Sequence, residues 1–360
     1  VSPDRFGYRP ALDGVRGIAI AIVVSFHAFG WPREGTLGVD LFFVLSGFLI
    51  TLILLKEHSE SGAIRIRAFY YRRARRLLPA LFTMLAPFMV IAAVTASPLV
   101  VGLAACLTYT SNILIAADPS QPYLPGLIHM WSLAAEEQFY IIWPLLLLLF
   151  LRIGGARTAA RALIVLLAVA IIYRLVLLLQ GASIARLYYG PDTHADSLLI
   201  GCLAGYFYAF RRLPRIISSP RAREWSIAGA LVLIIVAAVF LADIPPRLAY
   251  GTQLVPTLFA LVAGVFVTCA ALGGSVVARA LSLRPLVFLG RISYSLYLWH
   301  LPLLVLVFGG RDGGLRSIAA VTAAVAVAAA SRHFIELPFL TRRDAQRGRA
   351  ETAHAAPAPA

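Results

Sequence analysis

Apolar residues run through this chain in long blocks, and the polar residues are gathered into short segments between them. Ten blocks approach or exceed the length needed to cross a hydrocarbon core, near 13–31, 36–55, 77–97, 131–151, 160–180, 194–210, 226–242, 254–272, 286–308 and 315–335. Each predicts a helix, because backbone groups in lipid must be satisfied within their own segment. An eleventh apolar stretch, LVVGLAACLTYTSNILIAAD over 99–118, competes with them.

The polar segments decide how many blocks cross. KEHSESGAIRIRAFYYRRARR (56–76) is the most basic of them, which predicts that it and the N-terminus are cytoplasmic. With ten crossings, the later arginines fall on that same side: Arg152, Arg157 and Arg161, then Arg211, Arg212 and Arg215, then Arg279 and Arg284, and last Arg342, Arg343, Arg347 and Arg349. An eleventh crossing would invert every basic segment after it. The stretch 99–118 therefore reads as re-entrant or interfacial. The expected fold is an all-α polytopic membrane protein of about ten transmembrane helices, with both termini cytoplasmic. Residues 1–340 form one transmembrane domain, and the Ala/Pro-rich 341–360 reads as a cytoplasmic tail with no fold of its own.

Composition agrees with this picture. The 360 residues are 60% hydrophobic and 14% charged, where a soluble domain carries about 25% charged residues. The net charge of +15 lies in short loops between apolar blocks rather than on one face, so it argues against a nucleic-acid partner. Cys106, Cys202 and Cys269 lie far apart in apolar segments, in neither a metal pattern nor a disulfide framework. No metal is expected. The first apolar run lacks a small-residue cleavage site and is followed at once by a second, so it does not read as a signal peptide.

The first span, DGVRGIAIAIVVSFHAFGWP, carries Arg16 and His27. At about 100° per residue, eleven steps return to within roughly 20° of the same face, with a rise of about 16–17 Å. Two polar groups on one stripe are costly against lipid, so the stripe is expected to face a protein interior or a water-filled cavity. In the next span, GTLGVDLFFVLSGFLI, Asp40 falls at about the depth of His27. It either orients the imidazole or caps the second helix. Gly38, Ser46 and Gly47 permit close helix approach. HMWSLAAEEQFYIIWP places Glu136 and Glu137 inside an apolar helix, about 100° apart, and either reaches the His27 layer by depth. Trp131 and Tyr140 suit an interfacial belt.

FYYRRARRLLP sets Arg72 with Arg76, and Arg73 with Arg76, on shared helical faces. Such a cluster is either a topology signal in contact with anionic lipid or a phosphate site. With Arg16 at the same membrane face, the first helix becomes a ruler. Phosphates bind at the inner end, and a candidate base lies about 16–17 Å outward. Coenzyme A, with phosphates at one end and a thioester at the other, fits that description.

Taken together, RPALDGVRGIAIAIVVSFH, GVDLFFVLSGFLI, FYYRRARRLLPAL, MWSLAAEEQFYIIWPLLL, DTHADSLLIGCLAG, LGRISYSLYLWHLPLL and RHFIELPFL resemble the acyltransferase-3 family of integral membrane acyltransferases. The resemblance covers almost all of Tyr8 to Leu340. It implies acyl transfer, commonly of acetyl from acetyl-coenzyme A, to hydroxyls of extracytoplasmic or lipid-linked carbohydrates, in a bacterial cytoplasmic membrane. It implies His27 as the catalytic residue paired with Arg16, a basic motif at Arg72, Arg73, Arg75 and Arg76, and a functional carboxylate at Glu136. Tyr294, Ser295, Trp299 and His300 lie in a further motif, where aromatic packing competes with any role in catalysis. One departure stands out: His194 lies between Asp192 and Asp196 where the family often has an arginine, which leaves the charge partners of those aspartates open. Some members also carry a fused SGNH-type hydrolase domain. This chain reads as a stand-alone core, or as one cut near a linker.

The expected chemistry is general-base catalysis by His27, oriented by Asp40 or Glu136, with an acyl-histidine route as the second possibility. Ser132, Tyr294 and backbone amides of 99–118 are candidate oxyanion donors. Glu137, Asp196 and His300 join Ser132 and Tyr294 as candidate substrate contacts. Expected partners are membrane lipids and a carbohydrate or glycolipid acceptor. The rival reading is a transporter or flippase for a lipid-linked glycan, using the intramembrane Arg, His and Glu. The acceptor, the acyl length and the oligomeric state are not written in the sequence.

Overall fold

The computed structural model describes residues 7–95, 100–119, 126–241 and 254–340. The expected tail 341–360 lies outside the described residues. Among the described residues there are no strands, and thirteen α-helices follow one another: α1 (Pro10–Phe29), α2 (Leu37–Ser61), α3 (Ile66–Thr95), α4 (Val100–Leu107), α5 (Ser111–Ala117), α6 (Met130–Leu179), α7 (Ile184–Tyr189), α8 (Asp196–Ala209), α9 (Pro220–Phe240), α10 (Leu254–Leu272), α11 (Val276–Leu281), α12 (Arg284–Pro302) and α13 (Leu315–Ser331). The local signals are the usual ones. Pro10 opens α1, and Gly30 closes it in the left-handed region at φ 73°.

By length and apolar composition, seven of these helices can cross a membrane: α1, α2, α3, α6, α9, α10 and α13 with its continuation to Leu340. The chain is a multi-pass membrane protein. The ten expected spans map onto these seven plus two others, so the count of ten does not follow from helix length and composition. The 50-residue α6 carries two expected spans, broken at Gly154 and Gly155, where Gly155 has φ 66°. The remaining two are α8, only 14 residues long, and α12, whose arginines and hydroxyls lower its hydropathy below that of the seven. Within the expected stretch 99–118, the described residues 100–118 do not form one long helix. They fold as the short α4 and α5, turning at Tyr109 with φ 54°. At about 1.5 Å per residue, neither is long enough to cross.

Two close helix pairs position the site. α1 lies along α12, and α2 along α8. In the first pair, a Cβ on Gly17 would collide with the Leu286 carbonyl, and one on Gly290 with the Asp13 carbonyl. In the second, Gly47 and Gly201 meet the backbone of Leu198 and Val44 in the same way. Small residues let the backbones approach, and the side chains beside them are then forced into contact.

Candidate active site

A cavity of about 970 Å³, counting its open mouth, lies between α1, α2, α3, α6 and α12. Its polar wall is made by Arg16, Ser46, Arg73, Arg76, Ser132, Glu136, Glu137, Tyr140, Tyr294 and Tyr297. Arg73 and Arg76 reach it together because three residues on a helix share a face. The Arg73 guanidinium grips the Glu137 carboxylate from two donors, Nε at 2.9 Å and Nη2 at 2.5 Å. It also lies over the Tyr140 ring, 3.2 Å from its centre. Glu136 accepts a 2.5 Å hydrogen bond from Ser46 Oγ and lies 3.8 Å from Arg73. Arg16 pairs with Asp13 at 3.3 Å. Arg76 is exposed to the cavity and, among the described residues, has neither an ion pair nor a hydrogen bond. The wall therefore presents one guanidinium with no direct partner among the described residues beside two that are ion-paired.

Arg72 and Arg75 do not join this cluster. Arg72 points to Glu57 at 3.5 Å, and Arg75 donates to the Phe339 carbonyl. Arg72 shares a face with Arg76 by spacing, but its guanidinium turns to Glu57, while Arg75 lies about 100° from Arg76, and neither lines the cavity. Of the expected five-arginine site, three members line the cavity.

His27 lies outside the cavity lining. Its Nδ1 is 3.2 Å from His300 Nε2, and the His129 ring packs 5.1 Å from that of His300. Tyr297 belongs to both places: it lines the cavity, and its ring packs 5.2 Å from His129 and 5.6 Å from His300. Tyr297 donates to the His129 carbonyl at 2.8 Å, so in its 2.5 Å contact with Ser132 the serine is the donor. Tyr294 donates to the Leu77 carbonyl at 2.9 Å. The two hydroxyls expected as oxyanion donors, Ser132 and Tyr294, thus already have acceptors.

Asp40 does not orient His27. It accepts from His194 Nε2 at 3.0 Å and from Ser197 Oγ at 2.8 Å, fully buried between α2 and the start of α8. The cause is packing: the α2–α8 approach carries Asp40 toward α8, while the α1–α12 approach carries His27 toward His300. Glu136 likewise pairs with Ser46 and Arg73, not with His27.

The sequence departure at His194 also finds its explanation. His194 Nδ1 faces the Tyr188 carbonyl at 2.7 Å, and Nε2 faces the Asp40 carboxylate. The Tyr188 carbonyl only accepts, so Nδ1 carries a proton, and facing an ionised Asp40 the second ring nitrogen donates as well, which makes the contact an ion pair. Asp196 pairs with Arg174 Nη2 at 2.9 Å, and Asp192 pairs with Arg186 at 2.5 Å. Asp196 therefore lies in a buried ion pair rather than at the cavity. Trp131 is buried against Phe43, Tyr188, Tyr189 and His194 instead of forming an interfacial belt, and Tyr140 is buried under Arg73.

Sequence reasoning missed His129, Arg174 and Tyr297. Arg174 had a signal, since a lone arginine inside an apolar block needs a buried partner. His129 and Tyr297 had none, because their importance comes from helices distant in sequence. The three cysteines are free and buried. Among the described residues, no group of three or more His, Cys, Asp or Glu is arranged to hold a metal.

The family model described as an acyltransferase domain matches residues 9–331. The peptidoglycan O-acetyltransferase OatA of Listeria monocytogenes is 32% identical over 92% of this chain and 56% of its own length. The putative peptidoglycan O-acetyltransferase YrhL of Bacillus subtilis is 35% identical over 93% of this chain and 55% of its own. The O-acetyltransferase OatA of Staphylococcus aureus is 30% identical over 83% and 51%. The chain spans about half the length of these relatives. No solved structure matches it.

Proposed function

The chain belongs to the acyltransferase-3 family, and from that premise we propose that it transfers an acetyl group from acetyl-coenzyme A to a carbohydrate hydroxyl outside the cytoplasm. The acceptor class that its relatives' names point to is peptidoglycan. A lipid-linked glycan offers the same hydroxyl chemistry. The protein sits in a bacterial cytoplasmic membrane with both termini inside, as one transmembrane acyltransferase domain over residues 1–340.

The observation that carries this reading is Arg76, which makes no ion pair or hydrogen bond among the described residues, in a cavity shared with Arg16 and Arg73. Forked guanidinium groups suit phosphates, and a free one inside a cavity attracts an anion. The coenzyme A phosphates bind at this end, and the pantetheine arm runs toward Ser132 and Tyr297. The acyl group meets His27 beyond Tyr297, which must move aside to admit it. As the acceptor hydroxyl oxygen attacks the thioester carbonyl carbon, a His27 ring nitrogen takes the hydroxyl proton. The carbon–sulfur bond breaks, the ester forms, and the proton passes to the departing thiolate. Alternatively, His27 attacks first and holds the acetyl group as an acyl-histidine, which the hydroxyl then cleaves.

Coenzyme A release from acetyl-coenzyme A by purified protein in nanodiscs tests the reading. Wild type is expected to release it slowly, His27→Ala to abolish release, and Arg16→Ala to weaken donor binding. If no acyl-coenzyme A binds and both variants behave as wild type, the enzyme reading falls and glycan transport becomes the reading to test.

A further inference from the structure

His300 is held from behind by its own helix. Its Nδ1 lies 2.7 Å from the Tyr297 carbonyl oxygen and 3.2 Å from that of Leu296. A carbonyl oxygen only accepts, so Nδ1 carries a proton. The opposite nitrogen, Nε2, lies 3.2 Å from His27 Nδ1. In a neutral imidazole with its proton on Nδ1, Nε2 is a lone pair. The contact is therefore a hydrogen bond only if His27 Nδ1 is the donor. A neutral His27 then has its proton on Nδ1 and a bare lone pair on Nε2.

We propose that His300 is a positioning residue that sets His27 in the Nδ1–H tautomer and so makes Nε2 its reactive atom. The proposal rests on His27 being the reactive histidine, as argued above. It replaces the carboxylate that usually fixes such a ring, because Asp40 is taken by His194 and Ser197, and Glu136 by Ser46 and Arg73. Among the described residues, no carboxylate bonds to either member of the pair. His129, the third histidine of the group, does not compete: it packs on the His300 ring without a hydrogen bond to either member of the pair. His300 is itself 3% exposed and wedged between the rings of His129 and Tyr297, so its orientation is fixed by packing as well as by the two carbonyls. When His27 gains a proton at Nε2, its Nδ1–H continues to donate to His300, now as a charge-assisted bond. The same bond thus serves the base route and the nucleophile route.

The test is nitrogen NMR of the full chain in nanodiscs with 15N-labelled histidine, His27 being assigned through the His27→Gln variant. Wild type at neutral pH is expected to show a protonated Nδ1 and an unprotonated Nε2 at His27. His300→Phe keeps a ring but removes the acceptor. It is expected to release His27 to a mixture with the Nε2–H form and to lower kcat with KM for acetyl-coenzyme A unchanged. The kcat loss is expected to lie between tenfold and about 10⁴-fold, the latter being the cost of a wrong tautomer in a serine-protease triad. His300→Gln offers an amide oxygen as acceptor and is expected to restore the tautomer and part of kcat. An Nε2–H tautomer in wild type, or a tautomer indifferent to His300→Phe, overturns the proposal. Should the Phe variant not fold, the wild-type and Gln spectra still decide. Absence of any turnover with a correct wild-type tautomer would instead count against the acetyltransferase reading.

Discussion

Arg73 on α3 holds Glu137 on α6 through two donors, while Arg76, one turn away on the same face, makes no ion pair among the described residues. The two arginines of one motif therefore do different work. Arg73 ties two helices together, and under the proposed function Arg76 meets the incoming anion.

Glu137→Gln removes the countercharge of a largely buried guanidinium. It is expected to destabilise the protein by about 3 kcal/mol in detergent unfolding measurements. Arg73→Met combined with Glu137→Leu is expected to cost clearly less than the sum of the single changes, because the partners act as a unit. Additive losses would show that the pair contributes no coupling.

Tyr297 lines the cavity and packs against His129 and His300. Tyr297→Ala is expected to raise the ratio of acetyl-coenzyme A hydrolysis to acetyl transfer several-fold, measured as free acetate against acetylated acceptor. Tyr297→Phe keeps the ring and loses only the hydroxyl bonds, at about 1 kcal/mol of stability, with that ratio unchanged. Equal ratios in wild type and both variants would mean that the ring is no barrier.

The ion pair of His194 with Asp40 carries its own prediction. His194→Leu leaves the buried Asp40 carboxylate without its cation and is expected to cost about 3–5 kcal/mol. His194→Arg restores a cation at the place where the family often has one and is expected to recover most of that loss. Donor affinity is expected to stay the same in both variants, since neither residue lines the cavity. A selective loss of donor binding in His194→Leu would argue for a direct role instead.

What could be read from the sequence follows from how local each signal is. Apolar blocks set the helices, and three-residue spacing paired Arg73 with Arg76. The intramembrane polar residues announced that a protein-lined site exists. Their partners were not legible. Asp40 follows His27 by 13 residues, across a single short connection, yet Gly47 and Gly201 bring it to α8. His300, read as aromatic packing or a weak substrate contact, reaches His27 because Gly17 and Gly290 let α1 lie on α12. Such pairings depend on which backbones approach closely, and that is decided between helices.

The central claim is that the Arg76 cavity binds the donor, and acetyl-coenzyme A binding by calorimetry in nanodiscs tests it most directly. Arg76→Gln removes a charge-assisted contact of about 1.5–3 kcal/mol and is expected to weaken binding roughly 10- to 100-fold. Arg72→Gln and Arg75→Gln, whose side chains point away from the cavity, are expected to bind as wild type does. Wild-type affinity in Arg76→Gln, or an equal loss in all three variants, would contradict the account.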